Sequence, residues 1–161
     1  MKRVYISGLW FCVGSALLLL GAPRIGSTQD FPTDLTTNEQ VVVNWIREVF
    51  QAKNAAAIFR FYAPNMIQHN PEVPGGAQGF YNYFRKKWEA IGPKPVKPYL
   101  NPEPYLMIAQ RDLVLVVNKA MSPDPEHAGR TYTRFWFDLY RVRNGKIVEH
   151  WDPTVKGVPN P

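Results

Sequence analysis

The sequence predicts an α+β domain in which three helices precede about four antiparallel strands and close one face of a curved sheet. Three observations carry this. Apolar residues recur at helical spacing up to residue 91, and from 105 onward the period falls to two. Asn144-Gly145, between two apolar β-rich runs, is a strong hairpin signal. The 15 prolines and 11 glycines fall largely between the periodic segments, where they separate one element from the next. Helices packed on one face of a bent sheet leave a conical cavity, the ordinary place for a small ligand.

The elements follow in order. Thr36 with Glu39 and Thr37 with Gln40 form two overlapping capping boxes. Val42, Trp45, Ile46, Val49 and Phe50 then predict a helix over 38–52. Asn54 can cap a second helix over 55–62, stopped by Pro64, with Phe59 and Tyr62 on its buried face. Residues 66–71 follow, with His69 after a short amphipathic turn and before Asn70-Pro71, and a Pro/Gly-rich loop covers 72–76. A third helix over 78–91 carries an aromatic stripe of Phe80, Tyr83, Phe84 and Trp88, read as core packing, before Gly92-Pro93 stops it. Five prolines limit segment 93–104 to at most an edge strand. Strands are expected over 105–109, 113–121, 132–142 and 146–151, with a tight turn at 110–112.

The first residues read as a targeting segment rather than as part of the fold. Lys2 and Arg3 precede an apolar run over 4–20; Gly21, Pro23 and Gly26 break it before Ser27 and Thr28. This order predicts a signal peptide over 1–29, cut between 26 and 30, and a single domain over 30–161. The protein would then be secreted or periplasmic, with no stable membrane association after cleavage. A run of about 17 residues is at the short edge of a membrane span, so an uncleaved tether is the alternative.

Composition excludes several functions. The net charge is +6, but Lys2, Arg3 and Arg24 lie in the leader; their removal leaves 16 basic against 13 acidic residues, a net +3. Arg85-Lys86-Lys87 is then the remaining basic run and reads as a solvated helix face, so no nucleic-acid partner is expected. The single cysteine, Cys12, lies in the leader, which leaves the domain without disulfides, thiolate nucleophiles or cysteine metal sites. About 130 residues suffice for one core. No phosphate loop, nucleophile elbow or dinucleotide fingerprint is present.

The chemistry-bearing residues cluster late in the chain: Asp138, Glu149, His150 and Asp152, with His69 earlier. Which of them share a face depends on the last hairpin. In a two-residue turn, Arg143 pairs with Lys146, Asp138 faces Trp151, and His150 points away. In a three-residue turn with a bulge, Val142 pairs with Lys146, and Arg134, Trp136, Asp138, Tyr140, His150 and Asp152 share one face. The bulged form is favoured, because it needs positive φ at Gly145 only. A buried Asp–His pair is a plausible proton shuttle, and a structural hydrogen bond accounts for the spacing equally well. His127 is expected on an exposed loop. A metal held by His69, His150 and a carboxylate is chemically possible, but the spacing fits no metal motif and none is expected.

The stretches MIQHNPEVPGGAQGFYNYF (66–84) and FDLYRVRNGKIVEHWDP (137–153) resemble SnoaL-like proteins of the NTF2-like superfamily, and RDLVLVV (111–117) resembles their preceding strand. The resemblance implies an NTF2-like (cystatin-like) cone, a strongly curved, mainly antiparallel sheet wrapped by three helices around a pocket, often a homodimer through the sheet. The family's enzymes are polyketide cyclases that close a ring by aldol condensation without metal or cofactor, using a pocket aspartate. That role would fall to Asp138, with His150 and His69 as its catalytic companions; Asp152 matches another motif position. Tyr62, Phe84, Trp136 and Trp151 would shape the walls around a small apolar carbonyl compound. Two departures stand out: Arg111 replaces the usual Gly before Asp112, and Val117 replaces a His found in many relatives. An acid–base enzyme (cyclase, isomerase or lyase) is the expected function, and a non-catalytic ligand-binding protein is the alternative.

Overall fold

The computed structural model describes residues 34–157; the leader, its cleavage region and the tether alternative fall outside them. Helix α1 (Thr37–Trp45) opens with one of the two capping boxes. The Thr36 hydroxyl accepts from the Glu39 N–H, and the Glu39 carboxylate accepts from the Thr36 N–H at 2.8 Å. The helix then widens into π-helical turns over Ile46–Gln51. Val42, Trp45 and Val49 enter the core, whereas Phe50 stays half exposed and faces a cavity.

The second helix is shorter than expected. A 3-10 turn (Ala55–Ala57) leads into α2 (Ile58–Phe61), and Asn54 makes no side-chain cap. Tyr62 is not helical: it opens strand β1 (Tyr62–Gln68), which the sequence reading missed. Pro64 denies the residues before it a helical continuation. Phe59 is consequently half exposed, while Tyr62 is buried. Pro64 also disguised the strand, since it donates nothing to a ladder. β1 accommodates it by lying at the sheet edge and losing regular pairing between Tyr62 and Ile67.

Helix α3 (Gly76–Lys87) starts two residues earlier and ends four earlier than expected. Gly76 sits at φ +74, and a Cβ there would come 3.0 Å from the Pro64 carbonyl oxygen, so the loop between β1 and α3 needs glycine. Arg85, Lys86 and Lys87 occupy the last turn, where the helix dipole favours cations. Phe80, Phe84 and Trp88 are buried as expected. Among the described residues no helix is long and apolar enough to cross a membrane.

The proline-rich segment forms no strand. It straps across the end of the π-helical turns, where the Gln51 side chain donates to the Pro102 carbonyl at 3.0 Å and accepts from the Asn101 N–H at 2.9 Å. Four strands follow: β2 (Leu106–Gln110), β3 (Leu113–Pro123), β4 (Thr131–Arg143) and β5 (Lys146–Trp151). Arg111 takes positive φ in the expected tight turn. The sheet order is β1-β5-β4-β3-β2, parallel at β1/β5 and antiparallel elsewhere. The helices cover one face, where Val42, Trp45 and Phe80 belong to one core with Val114, Val116, Val142 and Ile147.

Candidate functional site

The site depends on how β5 pairs with β4. The favoured three-residue turn does not form. Arg143 pairs with Lys146, and both Asn144 (φ 51) and Gly145 (φ 71) take positive φ, as a two-residue type I′ turn requires. Asparagine is among the few non-glycine residues that tolerate this conformation. The ladder does not stay in that register. After Val142–Ile147 the next pair is Arg141–Glu149, which leaves Val148 as an extra residue in a bulge. Tyr140 then pairs with His150 and Leu139 with Trp151. The bulge lies inside β5 rather than at the turn, but it has the same effect on side-chain parity. Asp138, Tyr140, His150 and Asp152 all line one cavity.

His150 is 5 % exposed and held at both ring nitrogens. Nε2 lies 3.2 Å from Asp138 Oδ1, and Nδ1 lies 3.0 Å from Gln68 Oε1. The Gln68 oxygen also accepts from the Asn70 N–H at 3.0 Å, which fixes the orientation of its amide. Both ring nitrogens therefore have oxygen partners, which hold the plane of the ring from both sides. Asp138 accepts two further bonds, from the Trp136 indole at 3.2 Å and from the Asn118 amide at 3.3 Å. Three hydrogen-bonding groups thus converge on one carboxylate. The pair is thus a hydrogen-bonded imidazole–carboxylate couple inside an apolar wall, stacked on the Tyr140 ring at 4.8 Å.

Gln68 and Asn118 were missed from sequence. Gln68 reaches His150 because parallel pairing sets the two residues side by side, and β1 was hidden by Pro64. Asn118 faces Trp136 across the β3–β4 ladder. Its signal was available, as the amide that directly follows the apolar run LVLVV.

The cavity measures about 570 Å³. Phe84 and Trp136 line it as expected, as does Asp152. Asp152 has structural duties: it accepts from the Asn70 amide at 2.7 Å and from the Thr154 N–H at 2.9 Å, tying the loop after β1 to the end of β5. Tyr62 lies behind the wall rather than in it, packed on Trp45 and Phe80, and its buried hydroxyl finds no partner among the described residues. Burial, and then the charge of Asp138, pushes the Tyr62 and Tyr140 phenols well above their usual range, so both stay neutral. Tyr140, unlike Tyr62, lines the cavity.

His69 and Trp151 are not at the cavity. The bulge sends Trp151 to the outer face of the sheet, where His69 stacks on it at 4.8 Å with nearly parallel rings. His69 Nε2 meets Glu149 Oε1 at 2.9 Å; Glu149 in turn accepts from Arg141, and Arg141 reaches Asp112. This outer ladder lowers the Glu149 carboxyl, chiefly through the His69 hydrogen bond, and lowers Asp112 through Arg143 and Arg141. A His69–His150 metal pair is ruled out by these opposite faces. His127 bonds Asp124 at 3.1 Å on an exposed loop. Asp138, His150 and Asp152 offer ligand atoms within 4.8 Å of one another, close enough to hold one cation. Their oxygens are already engaged by N–H donors, so a cation would first have to displace those bonds.

The sequence model of the SnoaL-like domain matches residues 42–150. No curated protein sequence matches the chain. Among solved structures, a candidate polyketide cyclase from Acidithiobacillus ferrooxidans superposes with a TM-score of 0.53 at 16 % identity, over 75 % of this chain and 89 % of that one. IdmH, a candidate polyketide cyclase from Streptomyces antibioticus, gives 0.49 at 20 % identity, over 73 % and 91 %. At such identities the likeness is one of fold.

Proposed function

The chain belongs to the SnoaL-like domain family, and from that membership and the buried Asp138–His150 pair we propose that it is a cofactor-independent acid–base enzyme of the cyclase, isomerase or lyase kind. The substrate is a small, largely apolar carbonyl compound. The observation that carries this reading is one couple, Asp138 with His150, set inside a 570 Å³ cavity with aromatic walls. Asp138 Oδ2, which accepts only the Asn118 amide, takes the proton from the carbon beside the carbonyl. The C–H electrons move to the carbonyl oxygen as an enolate. The neutral Tyr140 hydroxyl is the donor to that oxygen, and His150 holds Asp138 in place through Oδ1. His69, on the outer face, has no part in the step.

The test follows α-proton exchange of aryl alkyl ketones in D2O by NMR. Asp138→Asn is expected to lower the rate at least about a hundredfold while leaving the fold intact. Undiminished exchange in the variant would remove Asp138 as the base. A bell-shaped pH–rate profile is expected as well. The alternative, a non-catalytic ligand-binding protein, draws on the same network: Asp138 already accepts three hydrogen bonds, which a purely structural carboxylate would also do. Absence of turnover with retained ligand binding would select it.

Two further features belong to this proposal. The leader-like start supports export, which N-terminal sequencing of the secreted protein would test by finding a start between residues 26 and 30. The outer sheet face exposes Ile108, Phe135 and Phe137, which supports a homodimer through the sheet. Sedimentation of Phe137→Glu beside the wild type would show a monomer against a dimer; two identical monomers would refute the pairing.

A further inference from the structure

Arg134 stands on the cavity side of β4, four residues before Asp138, and thus about 13 Å from it along the strand. Among the described residues its buried Nε has no hydrogen-bond partner, and no carboxylate pairs with its guanidinium. The side chain as a whole is half-buried along the cavity, so an acceptor entering it meets guanidinium N–H groups that no protein acceptor among the described residues engages. The helical wall adds two more cations. Lys53 and Lys87 line the cavity, and neither forms an ion pair among the described residues. The Lys53 ammonium lies 4.5 Å from the Phe50 ring centre and 5.1 Å from that of Trp88. Burial first, then the nearby Lys94 and Lys87, lowers its affinity for the proton, which an incoming anion would restore. Of the two acidic groups, Asp138 is paired with His150, and neither it nor Asp152 forms an ion pair with these cations among the described residues.

The cavity therefore has three zones: an acidic pair, an aromatic middle and unpaired cations. We propose that the substrate is an amphipathic carboxylate, a carbonyl compound whose carboxylate is bound by Arg134 while its enolisable carbon meets Asp138. This rests on the acid–base reading of the same cavity and adds the charge of the substrate and the residue that selects it. Guanidinium and carboxylate form two parallel N–H···O bonds, which fixes the ligand's direction as well as its affinity. With the anion at Arg134, the substrate's own charge stays remote from the Asp138 carboxylate.

The experiment compares 6-oxo-6-phenylhexanoate with its methyl ester by calorimetric binding, and follows α-proton exchange of both in D2O. Wild type is expected to bind the acid at least about tenfold tighter than the ester. Arg134→Met should abolish that preference, and Arg134→Lys should retain part of it, which separates loss of the anion site from loss of fold. Equal affinity for acid and ester, no binding of either, or a preference that survives Arg134→Met would overturn the inference. The two readings fail separately. Exchange of acid and ester at equal rates and affinities would leave the enzyme standing and remove the anion site. Preferential binding of the acid without exchange would leave the anion site and remove the enzyme.

Discussion

Tyr62 shows how one atom can be at odds with its surroundings. Its ring is buried against Trp45 and Phe80 at 5.3 and 4.7 Å, but its hydroxyl is sealed off without a partner among the described residues. An unsatisfied buried hydroxyl costs about 1–3 kcal/mol of desolvation. Tyr62→Phe is therefore expected to leave the domain as stable as before or to stabilise it by up to about 1 kcal/mol. Urea denaturation would measure this, and a clear destabilisation would mean that the hydroxyl has a partner. Asp138 and His150 are the reverse case, polar groups whose buried atoms are matched. Both were legible as candidates from residue type. The fate of His69 and Trp151 was not, because residue type says nothing about which side of a sheet a side chain takes.

At the scale of the element, the β4–β5 hairpin decides the site. Without the bulge, the register begun at Arg143–Lys146 would turn Trp151 into the cavity and His150 to the outside. Val148 is the residue that changes this, and it leaves every neighbouring pair intact. Deleting Val148 is thus expected to keep Val142–Ile147, Arg141–Glu149 and Tyr140–His150 paired, with His150 still facing the cavity. Nitrogen NMR of the His150 ring would check it; a ring newly open to solvent would refute the account. Asn144-Gly145 was read correctly as the turn but assigned the wrong type. Bulge and turn are separate choices in this hairpin: the chain uses a tight turn and places its bulge three residues later.

For the whole molecule, pH acts on the two faces of the sheet differently. On the cavity side, burial raises the phenols of Tyr62 and Tyr140. A raised folded-state value means stability that is complete below the unfolded value, about 10, and lost as pH rises above it. The domain is expected to weaken in alkali from about pH 10, less so in Tyr62→Phe. On the outer face Glu149 is lowered, chiefly by His69. A lowered carboxyl contributes above its unfolded value, about 4.5, and the contribution disappears as pH falls through the lower folded value. The ladder is partly open to water, so Glu149→Gln should cost no more than about 1 kcal/mol at neutral pH. Thermal melts should show that difference closing as pH falls below about 4. A gap independent of pH would mean that Glu149 acts through packing instead of charge.

The α+β class, the two-fold periodicity of β3 to β5, the turn positions and the candidacy of Asp138 and His150 could be read from the sequence, because periodicity, turn chemistry and residue type act over a few residues. The SnoaL-like resemblance carried the cone with them. Tertiary structure alone decided the rest. It placed β1 beside β5 despite Pro64, brought Gln68 from 82 positions away to the His150 ring, sent His69 and Trp151 to the outer face, and left Arg134 unpaired in the cavity. Each of these depends on which distant segment lies alongside and in what register. A single extra residue such as Val148 reverses a register, and its position is set by the packing of the whole sheet rather than by its neighbours in the chain.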